Sequence, residues 1–169
     1  MHASLPDANT LVTQLADAIA PTLAPDTFIV GIHTGGVWVA ERLHALLKCA
    51  QPLGTLDISF YRDDFSRIGL HPQVKPSNLP FDLEGRDILL VDDVLHSGRT
   101  VRAAMNELFD YGRPARIDLA VLIDRGGREL PIAPTAVGRR IEVPEEISVV
   151  LSRDDDGRLH LTLEQRRDI

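Results

Sequence analysis

The sequence predicts an α/β fold with a mainly parallel central sheet flanked by helices. Short apolar runs, which are typical of buried strands, alternate with segments that have apolar residues at helical spacing. Glycine and proline separate most of these segments. The chain has 169 residues, an ordinary length for one domain with a core of its own. We therefore expect a single domain over residues 1–169.

The first half of the chain predicts two helices and two strands. Asp7 or Asn9 is the candidate N-cap of the first helix, and prolines follow its end. The apolar run Phe28–Ile32 predicts a buried strand, and the alternating residues 56–61 predict another. The apolar helical positions are Leu11, Leu15, Ala18 and Ile19 in the first helix and Val39, Leu43, Leu46 and Leu47 in the second.

The second half predicts a third helix and five further strands. The apolar runs Ile88–Val91 and Ile117–Ile123 predict buried strands on either side of that helix, which Gly112 ends. The pair Asp156-Gly157 predicts a hairpin turn between the last two strands. The apolar positions of the helix are Val101, Ala104, Met105, Leu108 and Phe109, and the later strands are expected at residues 136–137, 148–151 and 159–163.

Three loops are expected at the carboxyl edge of the sheet, where parallel sheets bind their ligands. These loops are His33–Gly36, Asp92–Thr100 and Asp124–Arg128. A further segment, residues 62–80, is polar, contains three prolines and has no hydrophobic period. Because long loops in compact domains are usually functional, we expect residues 62–80 to be mobile and to take part in function.

The second of these loops contains the residue types of a sugar-phosphate site. An apolar strand leads to two adjacent carboxylates, Asp92 and Asp93, which suit ribose hydroxyls because ionised carboxylates are strong acceptors. Gly98 allows a close backbone approach, and Ser97 and Thr100 add hydroxyl donors. A helix begins there, and the unpaired N–H groups of a helix start bind phosphate. The segment predicts a phosphoribosyl-binding site.

Two other interpretations of this segment stay open on the residues alone. A strand-to-helix turn can hold acidic residues that only cap the helix. A phosphoacceptor receiver domain also clusters acids at strand ends, and it needs a further Asp at a central strand end and a Lys at a later one. Asp124 could be that Asp, but no predicted strand ends in Lys.

The segment resembles the motif with which type I phosphoribosyltransferases bind 5-phosphoribosyl-1-pyrophosphate (PRPP). More narrowly, the chain resembles the PyrR family, pyrimidine operon attenuation regulators with uracil phosphoribosyltransferase activity. The narrower assignment depends on the Tyr-Arg-Asp-Asp and Arg-Glu-Leu-Pro sequences. The matching stretches are residues 56–64, 91–102, 110–114 and 124–131.

The resemblance implies a type I phosphoribosyltransferase fold and a Mg²⁺-dependent reaction in which uracil displaces pyrophosphate from PRPP and gives UMP. It places Asp92 and Asp93 at the ribose as the catalytic residues and, directly or through water, at the metal. A flexible hood over the site would be residues 62–80, with Arg62, Asp63 and Asp64 at its start. The remaining implied residues are Thr34, Gly35, Gly36, Val94, Leu95, His96, Ser97, Gly98, Arg99 and Thr100 for PRPP, and Asp124, Arg125, Gly126 and Arg128 for the base. UMP or UTP would be effectors, and the assembly a homodimer or homotetramer.

The expected pyrophosphate loop departs from the family pattern. Where the family usually has Lys-Thr-Arg-Gly, this chain has His33-Thr34-Gly35-Gly36 and therefore no guanidinium for the pyrophosphate. This predicts weak catalysis that improves on Gly35→Arg. Two alternatives follow: a catalytically inactive regulator that senses nucleotides, and a purine phosphoribosyltransferase, which the sequence of the base loop disfavours.

The charge distribution argues against a nucleic-acid interface at the N-terminal face. The formal net charge is −7, and residues 1–41 contain no Lys or Arg, so RNA binding is doubtful. A single cysteine excludes an internal disulfide. No apolar stretch is long enough to span a bilayer and no signal peptide is evident, so we expect a cytoplasmic protein without a membrane partner.

Overall fold

The predicted order of helices and strands is confirmed by a computed structural model, which describes residues 4–58 and 77–167. The elements are α1 (Ala8–Ile19), β1 (Phe28–Ile32), α2 (Gly35–Leu46), β2 (Gly54–Leu56), β3 (Asp87–Leu95), α3 (Arg99–Tyr111), β4 (Arg116–Asp124), β5 (Ala136–Arg140), β6 (Ile147–Arg153) and β7 (Leu159–Gln165). Strand β3 and helix α3 lie on either side of the predicted sugar-phosphate loop.

Five of the strands form a parallel sheet in the order β2-β1-β3-β4-β5. The three central strands have continuous buried apolar runs, as strands covered on both faces require, and the charged residues of β3 and β4 lie towards the strand ends. The last two strands form a separate antiparallel hairpin. Gly157 has a φ of 80° in its turn, which confirms the predicted Asp156-Gly157 turn. The α/β class with a mainly parallel sheet is therefore correct.

The core lies on both faces of the sheet. Helices α1 and α2 pack on one face together with the β6–β7 hairpin. Helix α3 packs on the other face, against side chains of β1, β3 and β4 that alternate with those of the first face. Three apolar helical positions of the sequence do not join this core: Ala18 is exposed, as are Leu46 at 49% and Phe109 at 56%.

Asp7, rather than Asn9, is the N-cap of α1. Its carboxylate accepts a hydrogen bond from the Thr10 amide at 2.9 Å. Asn9 instead pairs with the backbone of Leu159 in β7, donating to the carbonyl at 3.0 Å and accepting from the amide at 3.1 Å. This pair fixes the hairpin to the start of α1.

Three predicted boundaries are wrong. Strand β3 does not end at Val91 but continues to Leu95, because its pairing with β4 continues as far as Leu95 and Asp124. Helix α2 begins at Gly35, so only the first part of the expected loop 33–36 is a loop. The predicted strand 56–61 begins at Gly54, and residues 57 and 58 do not continue it. Residues 59–61, like most of the expected hood, lie outside the described residues. No helix within residues 4–58 and 77–167 is long and apolar enough to cross a membrane.

Candidate functional site

The three predicted loops meet at the carboxyl ends of β1, β3 and β4, which are neighbours in the sheet. Gly36, at the end of the first loop, lies against Val91 and Asp92 of β3. Gly127, in the third loop, lies against the imidazole of His96 in the second. The arrangement expected at this edge of the sheet is therefore present, although Asp92 and Asp93 belong to the last part of β3 and not to a loop.

Glycine is required where α2 begins. A Cβ atom at position 35 would be 2.0 Å from Oδ2 of Asp93, and one at position 36 would be 2.7 Å from the Val91 carbonyl oxygen. The first turn of α2 can therefore approach the end of β3 only with bare backbone. The peptide bond between His33 and Thr34 is cis. The side chain of Thr34, the N-cap residue, makes no capping hydrogen bond.

This packing corrects the expectation for Gly35→Arg. The missing guanidinium suggested that arginine at position 35 would improve catalysis. Because the Cβ of any residue there collides with Asp93, the substitution displaces a carboxylate of the site before the guanidinium can act. We now expect the substitution to impair binding.

Local hydrogen bonds orient the two carboxylates. Asp92 is buried, and its Oδ1 accepts from the Asp93 amide at 2.9 Å. Asp93 is half-buried, and its Oδ1 accepts from the Val94 amide at 2.8 Å. Side chains held in this way are preorganised, because little rotamer freedom remains to be lost when a sugar binds.

A cavity of about 140 Å³ lies between β3 and the start of α3. Gly98 forms the turn into the helix with a φ of 92° and provides no side-chain cap. Ser97 Oγ accepts from the Arg99 amide at 3.2 Å. The cavity is lined by Asp92, Val94, Leu95, His96, Ser97, Gly98, Thr100 and Val101. A helix start and a carboxylate thus share one small cavity, with the polarity that a sugar phosphate needs.

Arg99 is the one residue of the predicted phosphate segment 94–100 that does not line this cavity. Its guanidinium pairs with the carboxylate of Glu129 at 2.7 Å, and both side chains are mostly exposed. The side chain of Arg99 therefore faces the third loop.

The third loop begins with a buried carboxylate, Asp124, at the end of β4. Its Oδ2 accepts from Arg128 and from Arg140, both at 2.8 Å, and its Oδ1 accepts from the Gly126 amide at 3.0 Å. Burial opposes ionisation of this carboxyl group. The hydrogen bonds from Arg128 and Gly126 and the charges of the two arginines outweigh burial and hold the pKa of Asp124 below its ordinary value.

Arg125, the next residue expected at the base, also has partners inside the protein. Arg125 is buried, and its guanidinium donates to the carbonyls of Ile147 at 2.5 Å and Pro144 at 3.3 Å. Burial, followed by the charge of Arg166, lowers its pKa. The side chains of this loop therefore connect β4 to the segment before β6. Gly126 and Gly127 have positive φ values of 73° and 80°. The backbone at Gly127 lies close to the His96 imidazole.

The histidine of the phosphate segment is half-buried. Burial lowers the pKa of His96, and the nearby charges of Arg125 and Arg166 lower it further against the opposing charges of Glu129 and Glu145. This shift favours the neutral imidazole, in which each nitrogen serves as either a donor or an acceptor according to the tautomer.

Residues 129–132 contact the turn into α3, a contact that the sequence did not predict. The amides of Glu129 and Leu130 donate to the Ser97 carbonyl at 3.0 and 3.1 Å. A Cβ at Gly98 would be 2.9 Å from Cγ1 of Ile132, so this segment packs directly under the turn into α3. The Arg-Glu-Leu-Pro sequence at residues 128–131 marks this segment. The predicted hood residues Arg62, Asp63 and Asp64 lie outside the described residues.

The fold and the site define a type I phosphoribosyltransferase domain. The family model described as phosphoribosyl transferase domain matches residues 5–152. A hypoxanthine-guanine phosphoribosyltransferase from Bacillus anthracis has a similar fold, with a TM-score of 0.66 at 20% identity over 87% of this chain and 86% of that one.

Curated relatives give the narrower family. The Bifunctional protein PyrR of Pseudomonas savastanoi pv. phaseolicola is 52% identical over 162 residues, which are 94% of this chain and 95% of that protein. The Bifunctional protein PyrR of Pseudomonas aeruginosa PAO1 is 53% identical over 152 residues, 88% of this chain and 89% of that protein. The chain belongs to the PyrR family, and the resemblance in its sequence is confirmed.

Proposed function

We propose that the chain transfers the phosphoribosyl group of PRPP to uracil, giving UMP and pyrophosphate, and that it acts as a pyrimidine-nucleotide-responsive regulator. The observation that carries this proposal is the position of Asp92 and Asp93. They lie between the glycine start of α2 and the cavity at Gly98. Two helix starts beside a pair of carboxylates match a ribose with a phosphate group at each end.

Each part of PRPP has a counterpart in this proposal. The ribose hydroxyls would bind Asp92 and Asp93, the 5′-phosphate would occupy the cavity at residues 96–100, and the pyrophosphate would lie at Thr34–Gly36. The base would face the backbone of residues 124–128. The side chains of Asp124 and Arg125 are already hydrogen-bonded within the protein. We therefore expect backbone groups of that loop, and not these two side chains, to recognise the base.

The reaction requires that ribose and base be positioned for each other and that the charge developing on the ribose be stabilised. The bond between C1 of the ribose and the pyrophosphate oxygen breaks, a bond from C1 to uracil N1 forms, and the N1 proton leaves to water. Positive charge develops on the ribose as the pyrophosphate departs. Carboxylates fixed close to the ribose would stabilise that charge without having to reorient.

Mg²⁺ is the metal that fits this proposal. No group of three or more His, Cys, Asp or Glu side chains in residues 4–58 and 77–167 is arranged to hold a metal ion. That fits an ion bound mainly by the ligand's own oxygens and by water, with Asp92 and Asp93 contributing directly or through water, since Mg²⁺ usually keeps several waters. When bound, the ion would neutralise pyrophosphate charge.

One observation favours a second candidate, a regulator that binds nucleotides without catalysis. Residues 33–36 contain no Lys or Arg, so the pyrophosphate would be held by backbone groups and by His33. A steady-state assay with PRPP, Mg²⁺ and either uracil, hypoxanthine or guanine separates the candidates. Turnover with uracil and with neither purine supports the proposal. PRPP or UMP binding without turnover supports the sensor, and turnover with a purine contradicts both.

The assembly and location belong to the same proposal. We expect a homodimer or homotetramer in the cytoplasm, with UMP or UTP as effectors and with doubtful RNA binding. Light scattering on the purified chain, with and without UMP, tests the assembly.

A further inference from the structure

We propose that Arg128 is a positioning residue that holds the phosphate loop, residues 95–98, in its binding conformation. The proposal rests on the proposed function, because it presumes that this loop binds the 5′-phosphate. It assigns Arg128 a role different from the base contact that the family resemblance implies.

The guanidinium of Arg128 joins three parts of the site. Nη2 donates to Oδ2 of Asp124 at 2.8 Å, Nη1 donates to the His96 carbonyl at 2.9 Å, and Nε donates to the Ile132 carbonyl at 3.0 Å. The side chain is 24% exposed, so most of it is shielded from water. One planar group thus connects the end of β4, the phosphate loop and the segment beneath α3.

The contact with His96 completes a row of three consecutive carbonyls that are all bonded to residues 125–130. The Leu95 carbonyl accepts from the Arg125 amide at 3.0 Å, and the Ser97 carbonyl accepts from the Glu129 and Leu130 amides. The His96 carbonyl is the middle one, and a side chain supplies its donor. A carbonyl oxygen that faces a bound phosphate repels it, so a phosphate loop needs its carbonyls turned to other donors.

Arginine suits this role because its rigid fork presents donors in several directions at once. A lysine has the same charge but a single ammonium group, which cannot reach three acceptors lying in different directions. Arg128→Lys therefore keeps the attraction for a phosphate and removes the fixed geometry. Arg140→Lys is the matched control, because Arg140 donates to the same Oδ2 of Asp124 and makes no hydrogen bond to the phosphate loop.

The experiment measures the binding of ribose 5-phosphate and of pyrophosphate separately by calorimetry in Mg²⁺. For Arg128→Lys we expect about tenfold weaker ribose 5-phosphate binding, because the His96 carbonyl loses the hydrogen bond that fixes the phosphate loop, and pyrophosphate binding within about twofold of wild type. Arg140→Lys should leave both affinities within about twofold. In the uracil reaction, KM for PRPP should rise while KM for uracil does not.

Several results would overturn the assignment. These are an unchanged ribose 5-phosphate affinity, an equal loss for both ligands, or a rise in KM for uracil alone, which would return Arg128 to the base. If the lysine variant does not fold, Arg128→Gln takes its place, and failure of both to fold would make Arg128 a residue of general stability. A wild-type protein that binds no ribose 5-phosphate would instead contradict the proposed PRPP site itself.

Discussion

At the scale of single residues, Gly35 and Asp93 act as a pair. The backbone of α2 lies so close to β3 that the space a Cβ would need at position 35 is already filled by the Asp93 carboxylate. The residue type is therefore determined by a neighbour 58 positions away in the sequence, which the sequence alone does not reveal. The same contact places the start of the helix beside the proposed ribose site.

Gly35→Ala is expected to weaken pyrophosphate and PRPP binding about tenfold, since forcing a methyl group into a filled space costs roughly 1–3 kcal/mol. The measurement is a titration of each ligand in Mg²⁺. Gly157→Ala is the control for the general cost of replacing a glycine: no other atoms lie near its Cβ position in the hairpin turn, although its φ of 80° makes alanine strained there as well. Unchanged binding by the Gly35 variant would contradict the close approach of α2 to Asp93.

Asp92 and Asp93 supply the negative charge of the site. Replacing both with Asn keeps their size and removes that charge, so we expect PRPP binding in Mg²⁺ to weaken by about 10- to 100-fold, the range for hydrogen bonds that involve a charged group. Asp110→Asn on the exposed surface of α3 is the control. If the double variant binds PRPP as well as wild type does, the ribose assignment is wrong.

At the scale of elements, β3 explains both a success and an error of the sequence prediction. Its apolar first half was recognisable because a strand covered on both faces needs continuous hydrophobic residues. The second half of β3 was not recognisable as a strand, because Asp92 and Asp93 interrupt the apolar pattern while backbone pairing with β4 continues. A strand end is fixed by hydrogen bonds to its neighbour, and side-chain polarity reports those bonds only indirectly.

The end of β4 contains the group whose ionisation matters most for the loops. Because the pKa of Asp124 is lowered in the folded chain, its contribution to stability is complete above the unfolded value of about 4 and is lost as the pH falls through the lower folded value. Asp124→Asn should lower the free energy of unfolding at pH 7 by roughly 1–3 kcal/mol, the cost of breaking buried hydrogen bonds. It should also flatten the loss of stability below pH 4.

Urea unfolding of both proteins between pH 2.5 and 7 tests this expectation. Asp118→Asn provides a matched control at the other end of the same strand, because Asp118 also pairs with an arginine, Arg116, whose side chain is mostly exposed. Parallel stability curves for wild type and Asp124→Asn across the acid range would show that Asp124 titrates normally.

At the scale of the whole molecule, the sequence predicted the parts of the site better than the connections between them. The alternation of strands and helices was sufficient to place three loops at one edge of the sheet. The hydrogen bonds from residues 125–132 to the phosphate loop were not predictable. Most of them join backbone groups, and such bonds do not require a particular residue type. Asn9 is a similar case, since its bonds to Leu159 satisfy backbone groups of a distant strand.

Charge is the property of the whole molecule that bears on its partners. The net charge is −7, and residues 1–41, which include α1 and the start of α2, have no Lys or Arg. The carboxylates of that region are exposed; they are Asp7, Asp17, Asp26 and Glu41. Arg140 is exposed as well but already pairs with Asp124. A nucleic acid that approaches α1 therefore meets these carboxylates, with Arg42, which bonds Asn9, and Arg158, whose charge acts on Asp7, beside them.

We expect the chain to bind its own pyrimidine-operon leader RNA weakly, with a Kd on the order of 1–100 µM at physiological salt, as for contacts without sequence preference. The reason is that phosphate contacts supply much of the affinity of such complexes, and each draws on a Lys or Arg side chain. The test is a titration with UMP present at several salt concentrations, against a shuffled RNA of equal length. Equal binding of the two RNAs agrees with this expectation. Nanomolar binding that prefers the leader would contradict it and would show that the charge pattern does not exclude an RNA-binding surface.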